Sequence, residues 1–228
     1  MFVGPGCFLP SPRQSTIGTS VGYPVRNAKV DFGRPEESIA RSTGSHLVKL
    51  MITGGAGFIG SNFVRLVIRD ALPGLEGAEV TVFDALTYSG TLSNLESVAG
   101  SERFRFIKGD IRDKQAVDEA VPGHDAIVHF AAESHVDRSV SDSRVFVETN
   151  VLGTQTLLDS ALKNGTPRFV QVSTDEVYGS IDEGSWDEDE PLLPNSPYAA
   201  SKAASDLLVR SYHVTHQLNT SITRCSNN

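Results

Sequence analysis

The residues with the clearest chemical potential lie at the two ends of the segment from Thr174 to Lys202. Thr174, Asp175 and Glu176 supply a hydroxyl and two adjacent carboxylates. Tyr198 and Lys202 are four residues apart, so a helix places both on one face. A free phenol has a pKa near ~10, and lowering it to about neutrality with a nearby ammonium needs roughly 4 kcal/mol. The set therefore predicts a proton-transfer site.

Two predicted elements position these side chains. Residues 168–172 form an apolar run typical of a buried strand, which places Thr174 at its carboxyl end, where open α/β sheets bind ligands. A helical pattern over about 196–217 carries Tyr198 and Lys202. An exposed helical pair is the alternative for these two residues, because Tyr-x-x-x-Lys is common by chance.

The remaining elements alternate along the chain. We predict strands at 47–53, 79–83, 104–107, 125–130 and 221–224, and helices at 58–71 and 143–163, the latter stopped by Asn164-Gly165. Alternating strands and helices favour a mainly parallel sheet with right-handed crossovers. The predicted fold class is α/β, a doubly wound, mainly parallel sheet of the Rossmann type.

A glycine-rich stretch follows the first strand and opens a helix: Gly54-Gly55-Ala56-Gly57-Phe58-Ile59-Gly60. Its glycines allow a tight turn and close approach to a pyrophosphate, which the helix N-terminus then holds. Asp84 ends the second strand, 24 residues after Gly60, where a carboxylate would accept the ribose hydroxyls. Because a carboxylate repels a 2′-phosphate, the predicted cofactor is NAD. The alternative is that these glycines only form the turn between strand and helix and bind no cofactor.

Two further strand ends are candidate cofactor contacts. Asp110-Ile111 follows the third strand and could meet the adenine edge; capping of the helix that starts near Asp113 is an equal alternative for Asp110. Ala131-Ala132 follows the fourth strand and offers small residues to the middle of the cofactor. Ordinary close packing is the alternative there.

Composition limits the functional class. The net charge of −8 argues against nucleic acid and anionic membrane surfaces as partners. Cys7 and Cys225 form no disulfide framework, and no apolar run approaches the ~20 residues of a membrane span, so a cytoplasmic protein is expected. The histidines lack metal-ligand spacing, and the acidic segment 182–190 reads as a solvated loop rather than a metal site.

The first 46 residues differ in composition from the rest of the chain. Residues 1–46 are rich in Gly, Pro, Ser and Arg without periodicity, which predicts a disordered or non-native extension. Residues 47–228 are predicted to be an NAD-binding catalytic domain. Because the sequence stops just past a strand, where a ligand-facing loop is expected to begin, we expect the domain to be truncated; the resemblance described next implies that most of a small C-terminal substrate lobe is missing.

Several motifs resemble the extended short-chain dehydrogenase/reductases and, among them, the dTDP-glucose 4,6-dehydratases. The stretches that carry the resemblance lie at the strand ends and in the last predicted helix: residues 53–61, 84–90, 109–111, 131–139, 148–150, 173–179, 196–203 and 224–228. The resemblance covers residues 47–228. It implies NAD as cofactor, a nucleotide sugar as substrate and a homodimer when full length.

The resemblance also implies a role for each catalytic candidate. Tyr198 would take a proton from the carbon-4 hydroxyl, with Lys202 lowering its pKa and binding the nicotinamide ribose and Thr174 bonding the reacting oxygen. Glu176 would remove the carbon-5 proton while Asp175 protonates the departing carbon-6 hydroxyl. Since opposite roles need separated pKa values, Asp175 is expected to be the more buried.

Further contacts rest on the motif match alone. They are cofactor contacts at Thr87, Ser134, Thr149 and Asn228, and substrate contacts at His135, Thr174 and Asn227. A surface histidine and a loop asparagine are the alternatives for His135 and Asn227. The predicted activity is dehydration of dTDP-glucose to dTDP-4-keto-6-deoxyglucose, weak or absent in the 228-residue chain. The alternatives are a nucleotide-sugar epimerase or decarboxylase, and a non-catalytic NAD-binding module.

Overall fold

The structure, a computed structural model, describes residues 47–226. The predictions for residues 1–46, Asn227 and Asn228 lie outside the described residues. Within 47–226, six strands form one parallel sheet in the order β3-β2-β1-β4-β5-β6. The strands are β1 (Lys49–Thr53), β2 (Glu79–Asp84), β3 (Phe104–Lys108), β4 (Ala126–His129), β5 (Arg168–Thr174) and β6 (Asn219–Cys225). The predicted doubly wound parallel sheet is confirmed.

Helical segments connect the strands. They are α1 (Phe58–Ile68), α2 (Lys114–Ala120), α3 (Val136–Ser141), α4 (Arg144–Phe146), α5 (Thr154–Asn164) and α6 (Pro197–His216), with 3₁₀ turns at Leu92–Leu95 and Asp175–Tyr178 and a π-helical segment at Val147–Gly153. Helix α6 begins where the Ser196 hydroxyl accepts from the Ala199 amide at 3.0 Å, and it ends at Gln217, which has a φ of 57°. Helix α5 ends at Gly165, with a φ of 64°, as the Asn-Gly stop predicts.

The predicted continuous helix over 143–163 is wrong in detail. The structure has α4, then the π-helical segment Val147–Gly153, then α5. The widened segment contains Asn150, whose side chain bonds both Glu133 and Ser201. Widened turns of this kind are frequent at functional sites. Contacts between residues distant in sequence leave no periodic pattern, so the sequence pattern of 143–163 predicts one regular helix.

The core lies on both faces of the sheet because side chains alternate along a strand. Leu50 and Ile52 pack with Val64 and Val67 of α1 on one face. Met51, between them, packs on the other face with the groups from α2, α5 and α6. Burial on both faces explains the continuous apolar character of β1.

In the part of the chain that the structure describes, no helix is both long enough and apolar enough to cross a membrane. The same residues contain no group of three His, Cys, Asp or Glu side chains that could hold a metal ion. The acidic segment 182–190 is exposed except at Trp186, whose ring stacks on Tyr178 with centroids 5.7 Å apart. That exposure fits a solvated loop.

Candidate functional site

A cleft of about 480 Å³ opens at the carboxyl edge of the sheet. The strand order reverses between β1 and β4, and such a switch point leaves a crevice for a ligand. Every predicted cofactor residue within 47–226 lines this cleft: Gly54, Gly57, Phe58, Ile59, Gly60, Asp84, Thr87, Asp110, Ile111, Ala131, Ala132, Ser134, Thr149, Tyr198 and Lys202. The structure therefore brings together residues from well-separated parts of the sequence.

The turn after β1 is shaped to bring backbone close to a ligand. Gly54 has a φ of +68°, and a Cβ there would lie 2.5 Å from the backbone nitrogen of Ala131. A Cβ on Gly60 would collide with the carbonyl oxygen of Gly54. Gly57 begins α1 without a side-chain cap, and the first turn carries no acidic residue. The partial positive charge of this helix end is therefore left for an anion, which fits the pyrophosphate of a dinucleotide.

Asp84 lies beside this turn at the end of β2 and is buried. Its two carboxylate oxygens accept from the amide of Ala56 at 2.9 Å and from the amide of Leu86 at 2.8 Å. These donors fix the carboxylate in place. Because each oxygen can accept more than one hydrogen bond, both keep capacity for ribose hydroxyls. The residues present fit the adenosine side of NAD.

Asp110 does not cap the helix that follows it, which was one of the two interpretations of its sequence position. The guanidinium of Arg112 donates to both of its oxygens, at 2.6 to 3.0 Å, and holds the pKa of this carboxyl below its usual value. The helix α2 is capped by Asp113 instead, which accepts from the amides of Gln115 and Ala116. Asp110 still lines the cleft, now paired with a cation that the sequence analysis missed.

The hydroxyl and carboxylates at the end of β5 surround the phenol of Tyr198. Thr174 accepts from the amide of Glu176 at 3.2 Å and lies 3.3 Å from Asp175 Oδ1. Its hydroxyl also bonds the Tyr198 phenol, and the charges of Glu176 and Asp175 act on that phenol. Glu176, Thr174 and Tyr198 line the cleft together. The predicted catalytic groups therefore converge, although Asp175 is not part of the lining.

The expected lowering of the Tyr198 pKa is not what the structure gives. Burial, followed by the negative charge of Glu176, raises the pKa of Tyr198 to about 12, and the hydrogen bond from Thr174 opposes this only in part. The ammonium of Lys202 donates instead to the carbonyl oxygen of Val172 at 2.8 Å. A cation held by a carbonyl does not stabilise the phenolate as the four-residue spacing suggests.

Lys202 itself is 4% exposed. Burial lowers the pKa of its ammonium to about 8, while the charge of Asp206, one turn further along α6, raises it. The carboxylate of Asp206 accepts from Arg224 Nε at 2.9 Å, and Arg224 donates to the Tyr178 hydroxyl at 2.7 Å. Asp206 and Arg224 therefore link the lysine's helix to the end of β6. Neither residue was predicted from the sequence to take part in the site.

The expected greater burial of Asp175 is not seen, since Asp175 and Glu176 are both partly buried. Burial, and then the charge of Asp175, raises the pKa of Glu176. A carboxylate with a raised pKa binds a proton more readily, which suits the role of base that the resemblance implies for Glu176.

A buried chain of hydrogen bonds supports the floor of the cleft. His129 Nδ1 lies 2.7 Å from the Thr53 hydroxyl, and His129 Nε2 lies 3.1 Å from the Thr154 hydroxyl. Thr154 donates to the Asn150 carbonyl, so Nε2 must carry the proton and Nδ1 must accept. Burial lowers the pKa of His129 to about 3, so the ring is neutral. Thr53 in turn accepts from the Ala131 amide at 3.4 Å.

Other predicted residues stand apart from the lining, and some lining residues were not predicted. His135 lies outside the lining, with its ring centroid 6.1 Å from that of Tyr88. Unpredicted polar lining residues are Ser89, Arg112, Glu133, Ser173, Cys225 and Ser226. Each lies next to or near a predicted residue at a strand end, and that adjacency is the signal that could have found them.

Comparison with known proteins gives the class of this chain. Residues 51–228 match the protein family described as GDP-mannose 4,6 dehydratase. The chain belongs to this family, which confirms the family-level resemblance expected from the motifs.

One curated relative and two solved structures give the extent of the similarity. The chain is 57% identical over 181 residues to a dTDP-glucose 4,6-dehydratase of Streptomyces niveus, covering 79% of this chain and 54% of the relative. The crystal structure of the dTDP-glucose 4,6-dehydratase DesIV of Streptomyces venezuelae, with NAD and TYD bound, is 59% identical, with a TM-score of 0.77 over 78% of this chain and 55% of that one. A UDP-Glc/GlcNAc 4-epimerase of Campylobacter jejuni is 30% identical, with a TM-score of 0.70 over 78% and 53%. The chain thus spans about half the length of the curated relatives it matches.

Proposed function

We propose that the cleft binds NAD. The uncapped start of α1 would hold the pyrophosphate, Asp84 the adenosine ribose, and the end of β4 the middle of the cofactor. A similar structure from Streptomyces venezuelae contains NAD, which supports this assignment. When bound, NAD supplies the acceptor and later the donor of a hydride.

We further propose that the full-length protein dehydrates dTDP-glucose to dTDP-4-keto-6-deoxyglucose. The observation that carries this is that Glu176 lines the cleft together with Thr174 and Tyr198, and that Asp175 is its neighbour in the 3₁₀ turn at the end of β5. An epimerase or decarboxylase shares the glycine turn and the Tyr–Lys pair but has no need for an adjacent acid and base. The relative from Streptomyces niveus supports the same activity.

In the first step, Tyr198 as phenolate takes the proton of the carbon-4 hydroxyl while that carbon is oxidised to a ketone. Thr174 donates a hydrogen bond to the reacting oxygen. The Lys202 ammonium donates to the Val172 carbonyl in the structure, and in our proposal it turns from there towards the phenolate and the nicotinamide ribose.

In the second step, the ketone acidifies the proton on carbon 5. Glu176 removes this proton, and Asp175 protonates the carbon-6 hydroxyl, which leaves as water. Reduction at carbon 6 and return of a proton to carbon 5 then complete a cycle whose net change is the loss of one water. The raised pKa of Glu176 assists its part as base.

The remaining assignments are part of the same proposal. His135, Thr174 and Asn227 contact the sugar nucleotide, and Thr87, Ser134, Thr149 and Asn228 contact the cofactor. Residues 47–228 form the NAD-binding catalytic domain, and the full-length protein acts as a cytoplasmic homodimer. The motif match supports each of these statements except the cytoplasmic location, which is supported by the cysteine usage of the sequence.

The test is to incubate purified full-length protein with NAD and dTDP-glucose and to follow the absorbance of 4-keto sugars in alkali. Formation of a 4-keto-6-deoxy product supports the proposal. A galactose epimer without that absorbance indicates an epimerase. Tight NAD binding with neither product indicates a non-catalytic module.

A further inference from the structure

Two loops on either side of the glycine turn are joined to each other. The Tyr88 hydroxyl, in the loop after β2, donates to Glu133 Oε2, in the loop after β4, at 3.1 Å. The sheet order places β1 between β2 and β4. The hydrogen bond must therefore pass across the turn that follows β1, where the pyrophosphate is expected.

Arg138 completes this connection. Its guanidinium carbon lies 4.3 Å from the centroid of the Tyr88 ring, and its NH1 lies 3.9 Å from Glu133 Oε2. Each of the three side chains thus contacts the other two. The guanidinium also offsets the charge of Glu133, which would otherwise repel a nearby pyrophosphate.

Both loops are anchored below this contact. Asn150 holds the backbone of Glu133 through its amide at 2.8 Å and its carbonyl at 2.9 Å. The loop after β2 is held to the glycine turn, because the amide of Thr91 donates to the carbonyl of Ala56 at 3.2 Å. The walls beneath the contact are Thr87, Ser89 and Gly90 on one side and Glu133 and Ser134 on the other. The contact therefore joins the two loops that supply these walls of the cleft.

We propose that Tyr88, Glu133 and Arg138 form a clasp that closes over the pyrophosphate of the bound dinucleotide and sets the rate at which it leaves. This rests on the proposed function. The reaction takes two electrons from the sugar and returns them in the same cycle, so loss of the reduced cofactor midway would strand an oxidised sugar. A clasp that slows release keeps the two halves of the cycle together.

The test measures how fast the reduced cofactor leaves. The purified full-length protein is loaded with NADH and mixed with excess NAD, and the loss of NADH fluorescence gives the dissociation rate. Tyr88→Phe keeps the ring beneath Arg138 and removes only the hydroxyl, and Tyr88 is 52% exposed, so the fold is retained. Losing one hydrogen bond to a charged acceptor should raise the dissociation rate about tenfold or more.

Tyr212→Phe is the matched control, because the Tyr212 hydroxyl also donates to a carboxylate, that of Asp159, but between α6 and α5. We expect it to release NADH at the rate of the unsubstituted chain. In a double variant of Tyr88→Phe with Glu133→Gln, the effect of removing the Tyr88 hydroxyl should shrink, since both changes remove the same interaction.

The outcomes separate this proposal from the proposed function. If Tyr88→Phe binds NADH and releases it at the unsubstituted rate, the clasp is wrong and NAD binding stands. Equal acceleration by Tyr212→Phe also contradicts the clasp. Failure of the unsubstituted chain to bind NADH overturns the proposed function, and the clasp with it.

Discussion

The cleft has two halves, one that offers mainly backbone groups to a ligand and one that offers mainly side chains. The cofactor half consists of the glycine turn, the start of α1, Asp84 and the end of β4, and its ligand-facing groups are largely backbone. The catalytic half consists of Thr174, Asp175 and Glu176 with Tyr198 and Lys202, and its working groups are side chains.

The two halves also differ in how far their functional groups are preorganised. Backbone donors already hold Asp84, and the helix end is free for an anion. In the catalytic half, the pKa of Tyr198 is raised to about 12, and Lys202 bonds a carbonyl instead of the phenol. The cofactor half is preorganised, whereas the catalytic half still needs a positive charge beside its phenol. The oxidised nicotinamide ring, which is cationic, is suited to supply it.

Tyr198→Phe should have the largest effect, because it should disable the catalytic half and leave the cofactor half intact. Without the phenol there is no base for the carbon-4 hydroxyl, so turnover of dTDP-glucose should fall by about 10³-fold, within the usual range for removing an acid–base group. NAD binding, measured by fluorescence quenching, should stay within a few-fold of the unsubstituted protein. Tyr212→Phe serves as the control. Turnover that survives in Tyr198→Phe would remove this residue from the mechanism.

Glu176→Gln should affect one of the two reaction steps in the catalytic half and spare the other. Elimination should slow by about 10²-fold because the base for carbon 5 is lost, while oxidation at carbon 4 continues. Reduced cofactor should therefore accumulate during turnover, which its absorbance reports. The matched control is Glu188→Gln in the exposed acidic segment. Loss of turnover without accumulation would place Glu176 in the oxidation step instead.

Gly60→Ala should damage the cofactor half. The added Cβ would collide with the Gly54 carbonyl, and both partners are backbone, so the turn must shift. Overpacking of about 1–3 kcal/mol expressed at the binding site corresponds to a loss of NAD affinity of about 5- to 150-fold. Gly100→Ala is the control, because a Cβ there meets nothing within 4 Å. Unchanged affinity, measured by calorimetry, would show that the turn does not approach the cofactor.

Asp206→Asn should produce the smallest effect, a shift in the pH profile. Lys202 is buried, its pKa is lowered to about 8, and Asp206 and then Cys225 are the groups whose charges raise it. Removing the charge of Asp206 lowers the lysine pKa further, so the ammonium is lost at a lower pH. The alkaline limb of kcat/KM should move down by about one pH unit.

The control for that shift is Asp118→Asn, which removes an aspartate paired with Lys114 and Lys163 on the surface. Its pH profile should match that of the unsubstituted protein. An alkaline limb that stays in place in Asp206→Asn would mean that Lys202 does not set it.

The local features of this fold follow from local sequence. Strand β5, the start of α6 at Ser196-Pro197 and the stop at Gly165 are set by apolar runs, a capping hydroxyl and a glycine that tolerates positive φ. The π-helical segment around Asn150 does not follow, because its partners Glu133 and Ser201 are distant in sequence. The pairing of Asp110 with Arg112 was equally missed, since both stand in a loop without periodicity.

The sequence by itself determined which chemical groups stand at the strand ends and on one face of α6, because the periods of strands and helices are local properties. Only the tertiary structure decided how those groups act on one another. Burial and neighbouring charge depend on residues far apart in the chain, and they raise the pKa of Tyr198 where spacing alone predicts the reverse. The same long-range packing joins Tyr88 to Glu133 across the glycine turn.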